Sequence, residues 1–170
     1  MALVVEDGTG LANSNSYVTE SEYETYLDNH GLTDPTGDTE AALVRATSYI
    51  DAKYRGQFQG WKVFGRLQAL EWPRHNAYDA SGEYISYLTI PIELKYAVIE
   101  AAIREKTSPG SLMPDQKRAI ESIKAGSVSI SWPESAANTT TFSKIDGIIA
   151  PLISGGSGSD VPITGRLVRA

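Results

Sequence analysis

The sequence predicts a mainly α fold: a small helical bundle around one central helix, with a projecting β-hairpin and extended N- and C-terminal arms. Three observations carry that prediction. Residues 90–106, IPIELKYAVIEAAIREK, are apolar around most of a helical circumference. Residues 127–132, SVSISW, alternate strictly, the opening 1–17 is rich in Gly, Asn and Ser, and 154–159 is all Gly and Ser. A helix apolar on several sides must be covered on several sides, so 90–106 is the expected core rod. One helical domain is expected over 1–153, including a hairpin at about 119–132, with a flexible Gly/Ser linker and docking arm at 154–170.

The elements follow in order. Leu3-Val4-Val5 precedes turns at Asp7-Gly8 and Thr9-Gly10, giving an extended arm as far as Tyr17. Thr19 followed by Glu22 is a capping box, so a helix starts there and runs through Tyr23, Tyr26 and Leu27 to a stop at Gly31. Asp38 or Thr39 caps a second helix to Tyr54. Its Ala42, Leu43, Ala46, Tyr49, Ile50 and Tyr54 recur at helical spacing toward the rod, and Asp51 and Arg55 are spaced to pair on the outside. Glycines then break the pattern from 56 to 65. A short helix over 66–71 is expected to end at Trp72-Pro73, because a residue before proline avoids the helical region. Residues 74–89 read as a long polar loop with Asp79, Ser81 and Gly82 as turn formers.

In the rod itself, Pro91 suits the first turn. Ile92, Tyr96, Ile99 and Ile103 form one apolar stripe, and Leu94, Val98, Ala101 and Ala102 a second. Glu93, Ala97, Glu100 and Arg104 are left as a narrow exposed face, on which Glu100 and Arg104 pair. Val128, Ile130 and Trp132 share one face of the expected strand, with 120–124 as its partner. Two strands alone are marginal in water, so that face requires a helix or another subunit to cover it. Ser143 caps a last helix carrying Ile145, Ile148, Ile149 and Leu152, which Pro151 should bend or shorten. In the tail, Val161, Ile163, Leu167 and Val168 crowd four aliphatic residues behind the linker, and are expected to dock on a neighbouring subunit or partner.

Composition excludes several function classes. The 170 residues contain no cysteine, which removes disulfides, Cys-zinc sites and thiol catalysis. No run of about 18 apolar residues exists, so no membrane span and no membrane partner are expected. The opening MALVVEDG turns acidic by Glu6, unlike a secretory signal. His30 and His75 lie far apart without metal-ligand spacing, Gly8-Thr9-Gly10 lacks the spacing of a dinucleotide turn, and Gly155-Gly156-Ser157-Gly158 is followed by Asp160 rather than lysine. The carboxylates of 20–40 read as solvated surface. No catalytic, metal or cofactor site is expected, and the chain is read as no enzyme.

The net charge of −6 is unevenly placed. Residues 1–40 carry nine acidic side chains and no Lys or Arg, whereas Lys53, Arg55, Lys62, Arg66 and Arg74 face only Glu71 over 53–78. Those five cations are the candidate DNA- or portal-facing basic patch. Trp61, Lys62, Phe64, Arg66, Trp72, Arg74 and His75 combine stacking surfaces with positive charge, as single-stranded nucleic-acid sites do. For the aromatics the preferred alternative is that Phe58, Trp61, Phe64 and Trp72 plug the ends of the core.

The segments ALVVEDGTGLANSNSYVT, ALVRATSYIDAKY, LQALEWPR, IPIELKYAVIEAA and a late IIAPLI before a Gly-rich tail occur in this order. This set, over about residues 2–155, resembles a tailed-bacteriophage family labelled as DnaT-like single-stranded-DNA-binding proteins. It is also similar to head-to-tail connector proteins, the adaptor ring below the portal. The resemblance implies a helical core, a β-hairpin, and termini that reach neighbours in a ring, usually dodecameric. On it rests the expected function: a structural virion protein at the head–tail junction, assembled in the host cytoplasm, that extends the DNA channel. Its partners would be copies of itself, the portal protein, a tail-side protein and the DNA passing through. Val128, Ile130, Trp132, Val161, Ile163, Leu167 and Val168 are the expected subunit or partner contacts. The alternative is a single-stranded-DNA-binding module whose affinity falls steeply with salt and depends on Trp61 and Arg66.

Overall fold

The computed structural model describes residues 2–113, 122–125, 128–131 and 141–153. Four helices dominate the described residues: α1 (Glu20–His30), α2 (Thr39–Tyr54), α3 (Ile92–Thr107) and α4 (Ser143–Ile149). They are joined by short antiparallel strand pairs rather than stacked as a regular bundle. α3 packs against α2 and α4, and more lightly against α1. Leu94, Val98, Ile99, Ala101 and Ala102 of α3 are buried against Leu43, Ala46 and Ile50 of α2 and Ile145 and Ile149 of α4 in one core.

Local chemistry sets the helix ends. Thr19 and Glu22 form the reciprocal capping box, with Glu22 N–H donating to Thr19 Oγ1 at 3.1 Å and Thr19 N–H to Glu22 Oε2 at 2.9 Å. Gly31 closes α1 in the left-handed region at φ 61°, which glycine enters without a Cβ penalty. Asp38 Oδ1 caps α2 by accepting from Ala41 N–H. The residue before α4 is Phe142, and Ser143 is the first helical residue rather than the cap. Pro151 cannot donate to the ladder, and the chain tightens there into a 3₁₀ turn, Ala150–Leu152.

Several sequence expectations are corrected. The N-terminal segment is not an extended arm. Residues 4–6 lie along 15–16, with Glu6 N–H donating to Ser16 O at 2.8 Å and Asn15 N–H to Val4 O at 2.8 Å, and Ser16, Tyr17 and Val18 are fully buried. The exposed face of α3 is also turned. Ala97 and Glu100 are buried, whereas Ile92 is 52% exposed and Ile99 1%. Glu100 tolerates burial because Tyr26 Oη (2.8 Å), Arg104 (3.0 Å) and Lys144 (2.5 Å) all donate to its carboxylate. The pairing of Glu100 with Arg104 therefore exists, on a buried face.

Residues 66–71 form only a 3₁₀ turn, Gly65–Leu67. The segment 74–89 is not a loop. β1 (Trp61–Lys62) pairs antiparallel with β2 (Arg74–His75), and β3 (Ala77–Tyr78) with β4 (Tyr84–Ile85). The expected turn formers build the β3–β4 connection: Asp79 Oδ1 accepts from Ser81 and Glu83 N–H, and Gly82 has φ 85°.

The expected hairpin is present as β5 (Ser122–Ala125) and β6 (Val128–Ser131), with Ile123 opposite Ile130 and Ala125 opposite Val128. Trp132, Val161, Ile163, Leu167 and Val168 lie outside the described residues, as does the C-terminal arm.

The acidic N-terminal half is tied to α3 by ion pairs. Lys106 Nζ donates to both oxygens of Asp34 at 2.7 and 2.8 Å, and Lys95 to Glu22 at 2.5 Å. These two carboxylates are therefore bound rather than merely solvated. Burial works against both charges, yet the lysine partners hold each carboxyl below its ordinary range. No helix among the described residues is long and apolar enough to cross a membrane.

Ile92 and Ile99 share one sequence stripe but differ in burial, which gives a direct contrast. Ile99→Ala is expected to cost about 2–5 kcal/mol, and Ile92→Ala less than about 0.5 kcal/mol, in urea unfolding. Equal losses would contradict the packing.

Candidate nucleic-acid interface

Exposed large apolar side chains concentrate between residues 61 and 88: Trp61, Phe64, Leu67, Tyr78, Tyr84, Tyr87 and Leu88. Trp61 is 59% and Phe64 52% exposed, whereas Phe58 and Trp72 are buried. The expectation that all four plug the core therefore holds for two of them. Of the four, only Trp61 lies in a strand. Register places Trp61 opposite His75, and the rings follow one another, Trp61 to His75 at 6.5 Å and His75 to Tyr87 at 4.6 Å between centroids. Beyond Asn76, which sits at φ 55°, Tyr78 lies opposite Tyr84 with centroids 5.7 Å apart.

The strand pair that carries the row is braced by Arg74, which the sequence presented as surface. Arg74, expected in the basic patch, is buried. Its Nε donates to Gln59 O and its Nη2 to Gly60 O, both at 2.7 Å, and its Nη1 to Glu71 O and Oε2, both at 3.2 Å. A guanidinium placed this way is a bracket between the two edges of the ribbon. Gly60 must be glycine: φ is 67° and a Cβ would lie 2.0 Å from His75 O. The Gln68 amide, also buried, donates to Leu70 O and Pro73 O at 3.0 Å.

The other candidate cations disperse. Lys53 Nζ is bound to Asp146 Oδ1 at 2.5 Å, and that carboxylate also accepts from Tyr54 Oη. Despite burial, Asp146 holds the Lys53 ammonium above its ordinary range. Lys62 Nζ stands 3.8 Å from Glu71 Oε1. Arg55 is exposed and leans its Nε on Asp51 O at 3.4 Å. Arg66 is exposed and makes no ion pair or hydrogen bond among the described residues. The five cations thus form no continuous patch. Val128 and Ile130 belong to β6.

Tyr78, Tyr84, Tyr87, Leu67 and Leu88 went unread in the sequence. The available signal was three tyrosines inside a stretch read as a polar loop. Among the described residues no group of three or more His, Cys, Asp or Glu is placed to hold a metal ion.

A family model described as "Putative DnaT-like ssDNA binding protein" matches residues 1–170. The chain belongs to this family. No curated protein and no solved structure matches it significantly. The family's description fits an exposed aromatic row better than it fits the connector role expected from the sequence.

In this family member the row is anchored to the helical core through Asp51, expected on the outside of α2 but buried. Tyr17 Oη donates to Asp51 Oδ1 at 2.8 Å, Glu71 N–H donates to Oδ2 at 3.0 Å, and Trp72 N–H donates to Tyr17 Oη at 3.0 Å. Burial pushes the Asp51 carboxyl up to about 6, against these bonds, which lower it.

Unfolded, the carboxyl ionises near 3.8. Between the two values the folded chain holds a proton that the unfolded chain has lost, so this group's contribution to stability falls as pH rises from about 4 to about 6. Asp51→Asn carries no such loss. Its stability relative to the parent should climb over that window by up to about 3 kcal/mol. Urea unfolding of both proteins across the window measures this, and a difference independent of pH would refute it.

Proposed function

We propose that the protein binds single-stranded DNA by stacking unpaired bases on Trp61, His75 and Tyr87. The observation that carries the reading is this contiguous, solvent-facing aromatic row on a braced strand pair. Each base presents a π-face, so such a row accepts any sequence, while bases sealed within a duplex cannot reach it. The family description supports the same substrate.

The charge distribution sets the character of binding. Single-strand sites usually combine stacking with a cationic groove. Here Arg74 and Lys53 are consumed internally and Lys62 is partly neutralised by Glu71, leaving Arg55 and Arg66 of the candidate set exposed and without an ion pair among the described residues. Stacking carries the affinity and phosphate contacts contribute little. The steep salt dependence expected from the sequence is therefore replaced by a shallow one.

Fluorescence anisotropy with a labelled oligo-dT tests both points. Trp61→Ala should lose about 1–3 kcal/mol of binding. The slope of log K against log salt should lie between about −0.7 and −2, and Arg66→Ala should shrink it by about 0.7. Equal affinity for duplex and single strand, or no binding at low salt, would end the reading.

One observation favours a second reading, the head–tail adaptor. The β5–β6 sheet has two strands, with no third among the described residues, and such a hairpin gains stability when another chain covers it. In that reading copies assemble as a ring between portal and tail in the virion, with Val128 and Ile130 at a contact. Val128→Asp with Ile130→Asp should then leave oligo-dT affinity unchanged and yield particles without tails. Normal tailed particles carrying the variant would remove it.

A further inference from the structure

Glu6 is 1% exposed, and no cation forms an ion pair with it among the described residues. Its Oε1 accepts from Gly8 N–H at 3.0 Å and Gly10 N–H at 2.8 Å. Its Oε2 accepts from Leu11 N–H at 2.9 Å and Ser14 Oγ at 3.0 Å. Four donors from residues 8–14 converge on one carboxylate, whose two oxygens offer enough lone pairs for all of them. The segment is thereby curled into a closed loop, with both glycines at positive φ.

The outer side of that loop is wedged between the Phe64 ring and the backbone of Leu88, the residue after Tyr87 of the row. A Cβ at Gly10 would lie 2.3 Å from Phe64 Cδ2, and one at Gly8 would lie 2.2 Å from Leu88 O. Ala69 N–H donates to Leu11 O at 3.0 Å, while Phe64 N–H reaches Gln68 Oε1 at 3.4 Å. Phe64 and Leu88 are exposed on the solvent side but backed by the loop. Neither 64–69 nor 86–89 belongs to a strand, so the backing supplies order that no sheet ladder gives them.

We propose that Glu6 is a positioning residue for the stacking surface: by gathering the 8–14 amides it builds the wedge that holds the Phe64 and Leu88 segments in place for DNA. The inference rests on the stacking reading above. Glutamine at this position has one acceptor oxygen and turns an NH₂ toward backbone N–H donors, so at least one donor loses its partner and the loop opens.

The test compares the full-length parent, Glu6→Gln, Phe64→Ala and the double variant by amide hydrogen exchange without DNA and by oligo-dT anisotropy. In Glu6→Gln, exchange should quicken at 8–14, 64–69 and 86–89, with α3 still protected. Affinity should fall about tenfold, and the same change made on Phe64→Ala should cost about threefold or less, because interacting sites are non-additive. Exchange confined to 8–14, or an undiminished effect on the Phe64→Ala background, overturns the positioning role. If Glu6→Gln does not fold, Ser14→Ala removes one of the four bonds and should give the same exchange pattern at smaller amplitude; no change at 64–69 then overturns it. Failure of the parent to bind oligo-dT would defeat the stacking reading alone, since the exchange arm still decides whether Glu6 holds these segments.

Discussion

The burial of Asp51 is the constraint on which the arrangement depends. A carboxylate on the core side of a helix, with no ion-pair partner among the described residues, must find hydrogen-bond donors elsewhere. Tyr17 and the Glu71 amide supply them, and Tyr17 in turn accepts from the Trp72 amide. Three distant segments, the N-terminal strap, α2 and the approach to the aromatic ribbon, are thereby held at one point. The ribbon of β1 and β2 has only two residues per strand, too few to be stable alone. Its anchorage to the helical core is what makes a precise aromatic row possible.

The same solution recurs through the molecule. Glu6 is satisfied by backbone amides, Arg74 by backbone carbonyls, Glu100 by Tyr26, Arg104 and Lys144, and Lys106 by Asp34 and Thr39. Each charge is spent on joining segments rather than displayed. Of the five cations at 53–74, Lys53, Lys62 and Arg74 are engaged with carboxylates of the same chain, so they add little field toward a polyanion.

The helices were largely legible in the sequence. The Thr19–Glu22 box, the Gly31 stop, the Asp38 cap and the buried set Ala42, Leu43, Ala46, Tyr49, Ile50 and Tyr54 rest on hydrogen bonds and spacings within a few residues. The β5–β6 pairing followed from alternation for the same reason. The aromatic row was only half legible. Trp61 and His75 stood out by type, but their pairing across a dozen residues, and the inclusion of Tyr87, depend on a register that no local pattern encodes.

The sequence by itself determined where α1 and α2 begin and end, because caps and periodicity are short-range interactions written in neighbouring residues. Tertiary structure alone decided which charges are buried, which of Phe58, Trp61, Phe64 and Trp72 face water, and that the N-terminal strap folds back around Glu6. A polar or aromatic side chain settles inside or outside according to partners brought from far along the chain. Its fate is a property of the assembled core rather than of its own segment.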